Sequence, residues 1–128
     1  MILARRTVVI DVEAFRARLG PLPGAAVALF TDDELAPLAT RRDPVPSLAA
    51  RFAAKQAVVQ ALADLGLDGA VDERDVEVLT DESGAPRLRL VGAAAAAMSG
   101  RTAHVSLSHD GPAAGALVVL QARPDGPP

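Results

Sequence analysis

Apolar positions along the chain change their spacing several times, and each change marks the edge of an element. Residues 6–12 read Arg-Thr-Val-Val-Ile-Asp-Val, a short β-branched run that predicts an N-terminal strand. Over residues 13–19 the apolar Ala14, Phe15 and Leu19 alternate with Arg16 and Arg18, a helical stretch that Gly20-Pro21 and Pro23-Gly24 end. Thr31-Asp32-Asp33-Glu34 has the capping-box pattern, in which a hydroxyl and a carboxylate satisfy each other's free amides, and it predicts a short helix through Leu38. That helix cannot run through Asp43-Pro44-Val45-Pro46, because each proline lacks an amide donor and restricts the residue before it.

Ser47 is then the expected N-cap of the clearest helix, residues 48–65. Leu48, Phe52, Val59 and Leu62 recur there at helical spacing in one stripe, and Lys55 lies on the same stripe. Residues 66–69 close it. Period-two alternation over residues 75–79 and 86–90, around Asp81-Glu82-Ser83-Gly84, predicts a β-hairpin. The alanine run at 93–98 favours a short helix ended by Gly100. Two more strands are expected at 104–109 and 114–120, about a turn at Asp110-Gly111-Pro112. The order of elements describes an α+β domain over residues 1–123, with a disordered tail at 124–128.

Composition narrows the picture. The chain has 128 residues, one domain's worth, and half of them are hydrophobic. Only three are aromatic, Phe15, Phe30 and Phe52, so Ala, Val and Leu must fill the core. With 13 basic and 16 acidic residues the net charge of -3 argues against nucleic acid or an anionic membrane surface as partner. Cysteine is absent, which removes thiolate metal sites and cysteine nucleophiles. No apolar run approaches the ~20 residues that span a bilayer, and a cytoplasmic protein is expected. Every basic residue but Lys55 is an arginine.

Candidate chemistry lies in three places. In His104-Val105-Ser106-Leu107-Ser108-His109 alternation sets His104, Ser106 and Ser108 opposite Val105 and Leu107, so that hydroxyls and an imidazole share a region suited to phosphate or ribose; a strand with one wet face has the same pattern. On the main helix Gln56 and Gln60 are one turn apart beside the apolar stripe. Near the first strand, Asp11 and Glu13 offer carboxylate oxygens to a hard cation such as magnesium, or are simply solvated.

Taken in order, these segments resemble the holo-acyl-carrier-protein synthase group of 4'-phosphopantetheinyl transferases. Arg51-Phe52-Ala53-Ala54-Lys55-Gln56-Ala57 is similar to the group's Arg-Phe-Ala-Ala-Lys-Glu-Ala, and Val105-Ser106-Leu107-Ser108-His109 to its Ser-x-Ser-His strand. Phe30-Thr31-Asp32-Asp33-Glu34-Leu35 and Gly84-Ala85-Pro86 support the match. The resemblance implies an α+β fold, an antiparallel sheet packed with one long helix and short helices, assembled as a trimer with active sites between protomers. It implies transfer of phosphopantetheine from coenzyme A to a serine of an acyl carrier protein, with magnesium holding the pyrophosphate. Carried over residue by residue, Lys55, Gln56 and Gln60 fall at catalytic positions, Arg51, Ser106, Ser108 and His109 at the coenzyme A site, and Asp11, Glu13 and Gln56 around magnesium. Arg16 and Arg18 would face an acidic carrier protein.

The departures from the group fall at its chemistry. Gln56 stands where the group has a metal-binding glutamate, and Gln60 where it has a second lysine. An amide carbonyl lacks the carboxylate's charge, so a weakened magnesium site is expected. The group's Asp-Ile-Val-Glu appears as Ile10-Asp11-Val12-Glu13, with Asp11 preferred over Ile10's position as the surviving ligand. Asp64-Leu65-Gly66-Leu67-Asp68-Gly69 replaces the glycine-rich coenzyme A loop. A divergent transferase is therefore weighed against a catalytically degenerate relative that binds carrier protein or coenzyme A, or one recruited to another reaction on a carrier-bound thioester.

Overall fold

The first strand is longer than its β-branched run in the computed structural model, which describes residues 1–22 and 24–123. Strand β1 covers Ile2–Asp11 and pairs antiparallel with β5, Ala113–Ala122, along nearly its whole length. Ladder pairing recruits the flanking Ile2, Ala4 and Arg5, with a break in register at Leu3, none of which pattern alone assigns to a strand. β5 also pairs antiparallel with β4, Arg101–Asp110, so the sheet order is β1-β5-β4. Both strands exceed the expected 104–109 and 114–120 for the same reason.

Val12, expected to end the strand, opens helix α1, Val12–Leu19, as a buried residue. Two one-turn helices follow, α2 at Ala26–Leu29, which the sequence pattern did not predict, and α3 at Asp32–Leu35, continued by a 3-10 turn at Ala36–Leu38. Helix α4 spans Val45–Asp64. It begins ahead of Ser47, because prolines are tolerated in a first turn, where amides have no intrahelical acceptor. Ser47 thus sits inside the helix rather than capping it. The hairpin is present as β2, Val76–Thr80, and β3, Pro86–Leu90, paired Val76 to Leu90 through Thr80 to Pro86. It is a two-stranded antiparallel sheet separate from the three-stranded one, and the α+β architecture with one long helix is as expected. Helix α5, Gly92–Ala97, leads back to β4. The tail 124–128 lies outside the described residues.

Helix α4 packs on β1, β5 and β4 on one side and on β2 on another, so it is buried nearly all round rather than along one stripe. Val58 is fully buried, whereas Val59, placed on the stripe by spacing, is half-buried. Few large side chains are available, and the core is filled by close approach instead. Ala49, Ala53, Ala54, Ala57 and Ala61 on α4, with Ala114 and Ala116 on β5, are all buried and keep helix and sheet backbones near each other. Leu48, Phe52 and Leu62 supply the bulk, each worth about 1.5–3 kcal/mol on full burial. Phe15 stacks on Phe52 with ring centroids 5.3 Å apart, fastening α1 to α4.

Candidate active site

Arg51 and Lys55, on successive turns of α4, meet different environments. Arg51 is buried near the start of the helix, donating from Nη1 to the Ser47 carbonyl at 3.2 Å and from Nη2 to Thr80 Oγ1 at 3.0 Å. Burial and then the nearby Arg41 push its pKa below the usual arginine value, with Glu34 opposing.

Lys55, one turn on, is completely buried. Its ammonium donates to Glu34 Oε1 at 2.8 Å, the Glu73 carbonyl at 3.0 Å and the Val76 carbonyl at 2.5 Å, so all three hydrogens are committed. Burial lowers its pKa and Glu34 raises it. Glu34 in turn accepts from the Thr31 amide at 3.0 Å and the Val78 amide at 2.9 Å. The lysine expected at a catalytic position is thus the centre of a buried network that ties α3, α4 and β2 together. Gln56, beside it, is half-buried, and Gln60 is exposed.

Glu34 escaped sequence analysis as more than a capping residue. The available signal was the pairing problem itself: a lone lysine on an apolar stripe needs a buried acid, and a capping-box glutamate flanked by Phe30 and Leu35 is a candidate. The network continues outward. Thr31 Oγ1 donates to Glu77 Oε1 at 2.7 Å, Arg89 Nε to Glu77 Oε2 at 2.5 Å, and Arg89 Nη2 to Asp33 Oδ2 at 2.7 Å. The Arg89 guanidinium, with help from Thr31, holds the Glu77 carboxyl below its ordinary range.

On β4 burial alternates as predicted: His104, Ser106 and Ser108 are exposed while Val105 and Leu107 turn inward. Ser106 lies across from Leu117 of β5 and Thr7 of β1, on the outer face of the sheet and away from Arg51's cavity. Ser108 and His109, at the far end of the strand, meet Arg51. A cavity of about 230 Å³ is lined by Arg41, Ser47, Arg51, Thr80, Ser108 and His109 together with the Gly84-Pro86 turn, and among the described residues no acidic side chain lines it. Three of the four predicted coenzyme A residues are therefore brought together. Arg41 and Ser47 join them with no warning from sequence pattern. Arg41 also borders an apolar cavity of about 470 Å³ walled by Leu22, Leu35, Leu38 and Leu48.

The arginines of α1 are less free than their exposure implies. Arg16 forks onto both oxygens of Asp43 at 3.0 and 2.8 Å and also pairs with Glu13. Arg18 stacks over the Phe52 ring at 5.1 Å from its centroid.

The 4'-phosphopantetheinyl transferase superfamily model matches residues 7–116. The chain belongs to this superfamily. It is 45% identical over 116 residues to a holo-[acyl-carrier-protein] synthase of Streptomyces avermitilis, covering 88% of this chain and 92% of that protein. Among solved structures, the acyl carrier protein synthase of Mycobacterium tuberculosis shares 34% identity over 95% of this chain and 99% of its own, with a TM-score of 0.77. That of Chronobacterium ammoniagenes, a complex with coenzyme A, shares 26% over 93% and 96%, with a TM-score of 0.82.

A superfamily member is expected to hold magnesium, here through Asp11, Glu13 and Gln56. Asp11 is the N-cap of α1, its Oδ1 accepting from the Ala14 amide at 2.8 Å, which leaves one oxygen. Both Glu13 oxygens accept from Arg16 Nε, at 3.1 and 3.2 Å. Gln56 brings no charge. Among the described residues no three His, Asp or Glu side chains are grouped to hold a metal. Two carboxylates already engaged by an amide and an arginine, with a neutral amide in place of a third carboxylate, do not fit a dication that prefers anionic oxygens.

Proposed function

We propose that the chain moves the phosphopantetheine group of coenzyme A to a serine of an acyl carrier protein, as a holo-acyl-carrier-protein synthase. The observation that carries this reading is the convergence of Arg51, Ser108 and His109, each from a matching motif, on one cavity free of acidic lining among the described residues. The synthase names of relatives above 40% identity and the coenzyme A complex of a solved relative support it. In the transfer the serine oxygen bonds to the pantetheine-bearing phosphorus, the bond from that phosphorus to the bridging pyrophosphate oxygen breaks, and adenosine 3',5'-bisphosphate leaves. The serine proton passes to solvent. Arg51, with the hydroxyl of Ser108 and the imidazole of His109, binds and orients the departing nucleotide. Lys55 is a positioning residue, holding α4 against β2 through Glu34. No step is assigned to magnesium, since the donors at Asp11, Glu13 and Gln56 do not fit it.

The working form in this reading is a cytoplasmic homotrimer. The outer face of the three-stranded sheet supports assembly: Val9 is 69% and Leu117 41% exposed, in rows with Ser108 and with Thr7 and Ser106. A monomer mass by light scattering at micromolar concentration would exclude the trimer. Among the described residues no helix is long and apolar enough to cross a membrane.

Incubating the protein with apo carrier protein, coenzyme A and magnesium tests the transfer by mass spectrometry, with the carrier gaining one phosphopantetheine. Gln56 and Gln60 favour a second reading, a relative that binds coenzyme A or carrier protein without turnover. Unmodified carrier across several candidates would select that one.

A further inference from the structure

We propose that the cavity between β3, α5 and the start of β4 binds the carboxylate of an apolar acid, with Arg101 as the fork that receives it and the exposed Arg123 as a second cation beside it. The cavity measures about 660 Å³, and α5 leaves it unfilled because that helix lines it only with the methyl groups of Ala95 and Ala96. Arg101 opens β4 and is held from one side: its Nη1 donates to the Ala97 carbonyl at 3.2 Å and to the Ser99 carbonyl at 3.1 Å. Its Nε is buried with no hydrogen-bond partner, and its Nη2 bonds nothing among the described residues. Nε and Nη2 form the edge with which a guanidinium forks onto a carboxylate. A buried donor without an acceptor costs stability, and a ligand oxygen arriving on that edge offsets the cost. Arg6, Arg16 and Arg89 each bond a carboxylate of the protein, whereas among the described residues neither Arg101 nor Arg123 does, and no acid lines the cavity.

The other walls suit an apolar body. Leu88 and Leu90 of β3 are half-buried, Met98 is 6% exposed, and Ser99 is the remaining polar residue, without charge. Each ligand methylene that such walls cover contributes about fourfold in affinity, a gain that a small hydrated anion does not have. The place is also distinct. Arg101 and Ala103 share the face of β4 that carries Val105 and Leu107 inward, so the cavity is on the helix side of the sheet, away from the exposed Val9 and Leu117. Along β4, Arg101 is about 26 Å from His109 at the usual rise per residue. A ligand there competes neither with the cavity of Arg51 nor with assembly through the outer face, and neither its place nor its chemistry depends on the transferase reading.

Calorimetry on the full chain with octanoate, acetate, octan-1-ol and inorganic phosphate reads the chemistry, and amide chemical shifts read the place. Octanoate is expected to bind at least about tenfold more tightly than each of the other three, and to shift amides of residues 88–90 and 95–103 but not those of Ser108 and His109. Arg101→Lys keeps the charge and removes the fork, and a loss of at least about fivefold for octanoate is expected. Because Arg101 also holds the end of α5, that variant's fold is checked by circular dichroism, and Arg123→Gln, which leaves α5 untouched, is expected to lose about threefold. Octan-1-ol or phosphate binding as tightly as octanoate overturns the carboxylate assignment. Shifts centred on the cavity of Arg51, no saturable octanoate binding up to ~10 mM, or unchanged affinity in both variants overturns the site.

Discussion

Two cations on α4 one turn apart, Arg51 and Lys55, are both buried and are matched by different partners. Lys55 is matched hydrogen by hydrogen to a carboxylate and two carbonyls, so its charge is spent inside the protein and nothing remains for a ligand. Arg51 bonds only a carbonyl and a hydroxyl, has a second arginine for a neighbour, and lines two cavities, one of about 230 Å³ with no acid lining it among the described residues and one of about 240 Å³ that Asp33 and Glu34 also line. Burial alone therefore does not tell how fully a cation's charge is matched inside the protein; the charge of its partners does. The nearby Gln56 and Gln60 add to the contrast, since both are neutral where the resemblance calls for charge.

The widest separation between the two sites is expected from removing each cation. Lys55→Met leaves the Glu34 carboxylate buried and unpaired and is expected to lower stability by about 3–5 kcal/mol in urea denaturation, with Glu34→Gln added to it restoring part of the loss. Arg51→Met strands only neutral acceptors and relieves repulsion from Arg41, so about 1–2 kcal/mol is expected in the same measurement. Equal losses would erase the distinction between the two.

Restoring charge on α4 is the next largest test. Gln56→Glu combined with Gln60→Lys is expected to raise the rate of carrier modification by about tenfold, equivalent to about 1.4 kcal/mol at the transition state, and to make that rate depend on magnesium. Quantitative mass spectrometry of the carrier reads both. An unchanged, metal-insensitive rate would mean that the missing charge is not what limits turnover.

The smallest effect concerns the outer shell of the Lys55 network. The folded pKa of Glu77 lies below its ordinary value of 4.5, chiefly through Arg89. Its contribution is then complete above the unfolded pKa and disappears as pH falls through the folded value. Between pH 7 and 5 Glu77→Gln should leave the pH slope of stability unchanged, and below about pH 4.5 the parent should lose stability more steeply than the variant. Urea midpoints across that range provide the check.

Local order was legible in the amino-acid sequence wherever a short-range rule governed it. Period-two alternation placed the hairpin and set Ser106 and Ser108 opposite Val105 and Leu107, proline placement marked the start of α4 to within a few residues, and two ordered motifs pointed to the superfamily. The gathering of Arg51, Ser108 and His109 followed from those motifs because the fold that they share brings them together. What spacing cannot see is which distant groups neutralise one another. Glu34 and Lys55 are 21 residues apart in the chain, and Arg51 reaches Thr80 across 29, so only packing of α3, α4 and β2 determined that one cation is satisfied and the other open. Ser47 carries the same lesson, since its place inside the helix and between two arginines depends on where Arg41 folds back. Periodicity reports which side of an element avoids water, whereas electrostatic balance is a property of three-dimensional neighbours, and this protein's chemistry is decided by the second.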